Sequence, residues 1–238
     1  MNSDLNTSRF ADISIRKSAL VAGFGLLLMA ILAPIANFGV FETLIVPGDA
    51  TATADNIMAS PGLFRTGIFV FLIVAILDVV VAWALYILLK PVNKSLSLLA
   101  AWLRVVYAAI FVSALSQPLI VLQLLNGSEY LKAFETNQLH VQVLLSLNAF
   151  IDEWNMGLVI FGLHLLVLGY LAFKSGYIPK ILGILVIIAG LGYLIDNLGK
   201  LLSPNYNVTI AMFTFIGEVL LIFWLLWKGI KGVDKELA

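Results

Sequence analysis

The sequence predicts an all-α bundle of six transmembrane helices. Hydrophobic residues make up 61% of the chain and charged residues only 12%, whereas soluble domains carry about 25% charged residues. The charged residues also divide the chain into apolar segments close to the roughly 20 residues that a helix needs to cross a bilayer. Together these observations indicate one integral membrane domain over residues 1–238.

Six segments are long enough to span the membrane, at residues 18–41, 66–89, 95–125, 152–174, 179–200 and 207–228. The first follows Arg16 and Lys17 and is longer than the roughly 7–15 apolar residues of a signal peptide, so we interpret it as a retained span. Pro91 and Pro179 lie in short connections, where proline is compatible with a helix boundary. The spans that they join are expected to pack as antiparallel neighbours.

The distribution of Lys and Arg predicts that both termini are cytoplasmic. Ten basic residues fall on the side that holds the termini and three on the other side. Because cytoplasmic loops carry the excess of basic residues, the termini are expected inside. The predicted location is therefore a cell membrane, crossed several times.

Two segments on the predicted outer side are longer than simple turns. Residues 42–64 contain Pro47, Gly48 and Asp49 and are expected to form an irregular loop. Residues 129–152 have apolar residues at helical spacing before the fourth span. This amphipathic outer segment is either an outward extension of the fourth helix or a separate helix lying over the bundle.

Four ionisable residues, Asp78, Arg104, His164 and Glu218, lie inside separate apolar segments, ten to twelve residues from a lysine. At the helical rise this separation is about 15–18 Å, close to half of a hydrocarbon core that is roughly 30 Å thick. Ionisable side chains at this depth are costly and usually face the bundle interior. The sequence therefore predicts a buried polar site at mid-membrane.

The residue types at this depth support several roles. Asp78 and Arg104 can form an ion pair between the second and third spans, which either contributes to a site or simply locks the two helices. In a catalytic site His164 would be a general base or ligand, oriented by Asp78 or Glu218, and Arg104 would stabilise developing negative charge.

A second set of polar residues is expected nearer the outer surface. Glu153 precedes His164 by 11 residues, which places both on one helix face with Glu153 about 16 Å higher. This stripe is either a water or proton path or a structural feature. Tyr193, Asp196 and Arg65 would line the entrance to the site, and an i,i+4 ion pair is expected between Asp196 and Lys200.

Composition excludes several classes of site. The chain has no cysteine, so disulfides, thiolate ligands and cysteine nucleophiles are excluded. Its two histidines are too far apart for bis-histidine haem and too few for a three-histidine zinc site. A metal site made of His164, Asp78 and Glu218 remains an alternative, although no metal or other cofactor is expected. The net charge of zero gives no basic field for nucleic acid.

Five sequence runs resemble a known family: FRTGI at 64–68, LYILLKPVNKS at 85–95, FGLHL at 161–165, GYIPK at 176–180 and GLGYLID at 190–196. They are similar to the multi-pass membrane proteins of domain-of-unknown-function family 4386, over nearly the whole chain. Among the candidate residues, Asp78, Arg104, His164, Tyr193 and Asp196 match characteristic positions, whereas Glu218 matches no motif. The resemblance implies a bacterial membrane protein, and it implies no particular reaction, ligand or partner.

Three functional hypotheses follow from the sequence. The first is an intramembrane enzyme or binding protein for a lipid-like or hydrophobic small molecule, with membrane lipids as partners. The second is a proton-coupled transporter of small solutes, which would need a homodimer to build an alternating-access pathway. The third is a structural membrane protein in which the Asp78–Arg104 pair only locks two helices.

Overall fold

The computed structural model describes residues 14–203 and 205–231, and within these ranges the chain is helical with short connections and no strand. Six helical segments are long and apolar enough to span a membrane: Ile15–Leu44, Pro61–Leu89, Lys94–Leu124, Thr136–Lys174, Lys180–Leu202 and Ala211–Lys231. We number these the first to the sixth span. The predicted all-α fold with six transmembrane helices is confirmed.

Local sequence signals explain where the spans begin. The Ser14 hydroxyl accepts a hydrogen bond from the Lys17 amide at the start of the first span. The Asn93 side chain accepts one from the Leu96 amide at the start of the third. Each interaction satisfies an amide that has no partner inside the helix. Pro61 begins the second span, where the missing amide hydrogen of proline is no loss.

The third span is interrupted at Leu115. Its helix runs over Lys94–Ala114 and resumes over Ser116–Leu124. Pro118 lies four residues after Ala114, and a proline ring clashes with the carbonyl four residues before it. The first span also changes geometry, because Asn37–Phe41 is a π-helix between Ile15–Ala36 and the short helix Glu42–Leu44.

The two longer connections, at residues 42–64 and 129–152, both contain helix. The prediction that residues 42–64 form an irregular loop is wrong for much of this segment, because Ala50–Ala59 is a helix. Asp49 caps this helix, and the buried Thr53 hydroxyl bonds both the amide and the carbonyl of Val46, so the turn is closed by its own side chains. The amphipathic segment before the fourth span is an outward extension of that helix, which is continuous over Thr136–Lys174.

The six spans form a ring in sequence order. Each span packs against the next one along the chain, and the sixth packs against the first. Arg16 donates hydrogen bonds to the carbonyls of Gly229 and Ile230, both at 2.9 Å. Ile15 and Lys231 therefore lie at the same end of the bundle, which we call the terminal end. The side of the membrane that this end faces remains a prediction.

The fourth and fifth spans approach each other backbone to backbone. A β-carbon added at Gly183 would lie 2.6 Å from the Phe173 amide nitrogen, and one added at Gly169 would lie 2.7 Å from the Gly183 carbonyl oxygen. One added at Gly190 would lie 2.8 Å from the Gly162 carbonyl oxygen. Small residues permit such close contact, so this pair of spans is tightly packed.

Aromatic side chains fill the ring interior toward the opposite end, where the first four spans meet. We call this group the aromatic cluster, and it consists of Phe41, Phe71, Phe111, Phe150 and Trp154. Neighbouring rings in it lie 5.1–6.3 Å apart. The fifth and sixth spans contribute no ring to the cluster, so it fills only one side of the ring interior.

Candidate functional site

A buried ion pair connects the second and third spans. Nη2 of Arg104 lies 2.7 Å from Oδ1 of Asp78, and the two side chains are 2% and 1% exposed. The predicted polar site is therefore confirmed as an Asp78–Arg104 pair. The pair is not fully satisfied, because Asp78 Oδ2 and Arg104 Nε are buried and have no hydrogen-bond partner within the described residues.

His164 joins this pair from the fourth span. Its Nε2 lies 3.3 Å from Nη1 of Arg104, and its Nδ1 lies 2.8 Å from the carbonyl oxygen of Ala100. The guanidinium can only donate and the carbonyl can only accept. His164 therefore carries its proton on Nδ1 and accepts at Nε2. Both ring nitrogens are engaged, so a role as base or ligand requires one of these hydrogen bonds to break.

Arg104 connects four of the six spans. Beyond Asp78 and His164, its Nη2 lies 4.0 Å from the sulfur of Met29 in the first span, and its guanidinium lies 5.3 Å from the ring centre of Phe161 in the fourth. A planar, delocalised cation can contact carboxylate, sulfur and aromatic surfaces at once. Met29 and Phe161 were not predicted as part of the site, because apolar residues in a hydrophobic span carry no signal of such contacts.

Glu218 approaches the site from the sixth span without joining the ion pair. Its Oε1 is buried and has no hydrogen-bond partner within the part of the chain that the structure describes. The Tyr193 hydroxyl of the fifth span lies beside its carboxyl group. Both side chains are half-buried. Tyr193, predicted at the entrance, thus lies at mid-depth beside Glu218.

The first and sixth spans are in close contact near the terminal end. Side chains placed at Gly23 and Gly229 would collide with Leu226 and Leu20, respectively. Toward the opposite end, no residue of the first helix between Gly25 and Ala36 is buried. None is buried in the helix Ala211–Thr214, which begins the sixth span.

The predicted stripe of Glu153 and His164 lies against the third span. Glu153 accepts a hydrogen bond of 2.9 Å from the Gln117 side chain. At Gly157 an added β-carbon would lie 3.3 Å from Tyr107, whose ring also packs 4.9 Å from that of Phe161. The space between Glu153 and His164 is therefore packed with aromatic side chains.

Asp196 holds the connection between the fifth and sixth spans. The expected ion pair with Lys200 is wrong, because the Asp196 carboxylate accepts hydrogen bonds from the Tyr206 hydroxyl and from the amides of Ile210 and Ala211. These amides begin the helix Ala211–Thr214 and would otherwise lack partners. Burial, followed by this hydrogen bond and the carboxylate charge, raises the pKa of Tyr206 above its usual value.

The other predicted residues lie apart from this arrangement. Lys200 donates to the Asn155 side chain at 3.4 Å. Arg65 is exposed near the start of the second span. No group of three or more His, Asp or Glu in the described ranges could hold a metal ion, so His164, Asp78 and Glu218 are not brought together as a metal site.

Comparison with known proteins identifies the family. Residues 21–229 match the "Domain of unknown function (DUF4386)". The chain belongs to the DUF4386 family. A relative from Archaeoglobus fulgidus, described as an "Uncharacterized protein", is 45% identical over 162 residues, which cover 68% of this chain and 82% of that protein. Bacterial origin stays a prediction, since this relative is archaeal. No solved structure matches the chain.

Proposed function

We propose that this DUF4386 protein binds a lipid-like or hydrophobic small molecule, which enters from the bilayer between the first and sixth spans. The observation that carries the proposal is the environment of Glu218. Its Oε1 is buried without a partner, and half-buried Met29 and Tyr193 lie nearby around Arg104. Polar groups in the bundle interior that lack partners are costly unless another molecule satisfies them.

The position of the unburied helix surfaces supports entry from the side. Beyond the contacts at Gly23 and Gly229, the residues between Gly25 and Ala36 of the first span and the helix Ala211–Thr214 of the sixth are not buried. The aromatic cluster occupies the interior between the first four spans, toward the end opposite the termini. On this route an acyl chain would reach Tyr193 and Glu218 from the hydrocarbon core, with its polar head against these two residues.

Two observations favour binding over catalysis or transport. His164 uses both ring nitrogens in hydrogen bonds, so its imidazole is not available as a base to the entering molecule. Tyr107 and Phe161 fill the stripe between His164 and Glu153, which leaves no polar path along the fourth span. Binding requires neither a free base nor a continuous path.

The proposed location is the cytoplasmic membrane, with both termini inside. The ten-to-three distribution of basic residues supports this orientation. At the terminal end, Arg16 lies against the last turn of the sixth span, which brings Arg16 and Lys231 to the same end of the bundle. Membrane lipids would then be both solvent and source of the ligand.

Photolabelling with a monoacylglycerol that carries a diazirine near its methyl end tests the proposal in nanodiscs. Labels are expected on the facing sides of the first and sixth spans. Met29→Trp should fill the opening and lower labelling about tenfold, the factor that corresponds to ~1.4 kcal/mol of binding energy. Leu28→Trp is the matched control, because Leu28 is 47% exposed on the same helix.

Equal labelling of the two variants would contradict the proposal, as would labels spread evenly over the outer faces of all spans. Glu218→Gln and Tyr193→Phe test the polar end. Each should weaken binding of the monoacylglycerol while leaving a pure hydrocarbon probe unaffected, because only the former carries a hydrogen-bonding head.

A further inference from the structure

A cavity lies between the fourth and fifth spans, away from the terminal end. Its volume is about 270 Å³. The polar side chains around it are Asp152, Asn155, Asn197 and Lys200, and the apolar ones are Met156, Val159 and Leu201. Nothing in the proposed function uses this cavity, which opens on a different pair of spans from those that flank Glu218.

Asn197 supplies a buried acceptor in this cavity. The side chain is only 3% exposed, and its amide nitrogen donates a 2.7 Å hydrogen bond to the Tyr193 carbonyl. Its Oδ1 is buried and has no partner among the residues that the structure describes. A buried carbonyl oxygen without a donor is unfavourable, so this wall of the cavity is suited to a ligand that carries N–H or O–H groups.

Opposite charges lie on the two walls. Asp152 belongs to the fourth span and Lys200 to the fifth, both exposed. Lys200 donates to Asn155 at 3.4 Å and forms no ion pair with Asp152 in the described ranges. The cavity therefore offers a separated anion and cation, which complements a zwitterion whose two charges are also separated.

The apolar side chains place the cavity at the membrane surface. Met156 and Leu201 are 48% and 63% exposed and lie beside the polar groups. A site with charged groups on one side and exposed apolar residues on the other fits a lipid at the depth of its headgroup. The volume is below the roughly 300–1,000 Å³ of sites for drug-sized ligands, as expected for a headgroup alone.

We propose that this cavity binds a phosphoethanolamine headgroup. The primary ammonium donates to Asn197 Oδ1 and to the Asp152 carboxylate, and the phosphate lies against Lys200. A quaternary ammonium has no N–H and cannot satisfy Asn197. The acyl chains extend from the phosphate along Met156, Val159 and Leu201.

Native mass spectrometry of the full chain in detergent tests this assignment. Phosphatidylethanolamine, phosphatidylcholine and phosphatidylglycerol with identical acyl chains are titrated separately. The expected result is tighter binding of one phosphatidylethanolamine. Asp152→Asn should lower that affinity about tenfold, as loss of one charged hydrogen-bond partner does, and should leave phosphatidylglycerol unchanged. Lys200→Met should weaken all three phospholipids.

The exposed Glu129–Lys132 pair supplies the control, because Glu129→Gln and Lys132→Gln remove the same charges from a connection outside the cavity. Equal binding of phosphatidylethanolamine and phosphatidylcholine by the wild type would overturn the proposal. So would an unchanged preference in Asp152→Asn and Asn197→Leu. Soluble phosphoethanolamine distinguishes the source of the headgroup: competition means that the headgroup alone is bound, and failure to compete means that the site takes it only as part of a lipid.

Discussion

Arg104 lies 2.7 Å from Asp78, and this contact ties the second span to the third where neither side chain reaches the surface. The same guanidinium donates to His164 of the fourth span. In a low-dielectric interior, a charge that loses its partner is far more costly than the absence of both charges. The pair is therefore expected to behave as a unit.

Removal of one partner should destabilise the bundle strongly. Asp78→Leu leaves Arg104 buried without a counter-charge and should cost about 3–5 kcal/mol, as for other broken buried pairs. The double variant Asp78→Leu with Arg104→Met removes both charges and should recover much of the loss. Unfolding in a graded detergent mixture measures both values.

The exposed pair of Lys132 and Glu129, 68% and 86% exposed, is the control for this experiment. Lys132→Gln should change stability by less than about 1 kcal/mol, because water screens surface ion pairs. If Asp78→Leu were no more harmful than Lys132→Gln, Asp78 and Arg104 would not act as a pair.

The tautomer of His164 gives a second prediction. Because Nδ1 faces the Ala100 carbonyl and Nε2 faces the Arg104 guanidinium, the ring should carry its proton on Nδ1. Nitrogen-15 chemical shifts of selectively labelled histidine separate the two tautomers, and His164→Asn assigns the signal. Asparagine can still donate to Ala100, so this variant should be milder than His164→Leu. A proton found on Nε2 would contradict the geometry.

Sequence alone predicted the six spans and the partners of the main ion pair. The number of residues from each of these side chains to a flanking lysine gives its depth in the membrane. Asp78, Arg104 and His164 could therefore be placed at the same depth from the sequence. The fate of Asp196 could not be predicted, because its hydrogen-bond donors lie 10–15 residues away, beyond the i,i+4 spacing that suggested Lys200. Met29 was missed for a different reason, since a thioether in an apolar helix has no pattern that distinguishes it from core packing.

Cysteine labelling tests the predicted orientation directly, because the chain has no cysteine. Lys132→Cys lies in an exposed connection at the end opposite the termini, and Lys94→Cys lies at the terminal end. A maleimide that cannot cross membranes should label Lys132→Cys in intact cells and Lys94→Cys only after permeabilisation. The reverse pattern would place the termini outside.

The close contact between the fourth and fifth spans predicts a large effect from one methyl group. Gly183→Ala places a β-carbon 2.6 Å from the Phe173 amide nitrogen and 2.8 Å from the Gly169 carbonyl oxygen. Because both neighbours are backbone atoms, the helices must separate, at a cost of about 1–3 kcal/mol. Gly39→Ala is the control, since nothing lies within 4 Å of its added β-carbon. Equal stability of the two variants would show that the spans are not in backbone contact.

Asp196 is expected to control the start of the sixth span. Asp196→Ala frees the amides of Ile210 and Ala211 and the Tyr206 hydroxyl. Loss of a capping side chain costs about 0.5–2 kcal/mol, which should appear as faster amide hydrogen exchange over residues 205–214. Tyr206→Phe removes only the hydroxyl and should cause a smaller increase.

The raised pKa of Tyr206 adds a pH dependence to the same segment. A group whose pKa is higher in the folded state loses its stabilising contribution as pH rises above the unfolded value, which for tyrosine is about 10. In the wild type, amide hydrogen exchange over residues 205–214, corrected for its intrinsic rise with pH, should therefore become faster above about pH 10. Tyr206→Phe should lack this increase, because phenylalanine has no proton to lose. A pH dependence that persisted in Tyr206→Phe would contradict this prediction, because it could not arise from the Tyr206 hydroxyl.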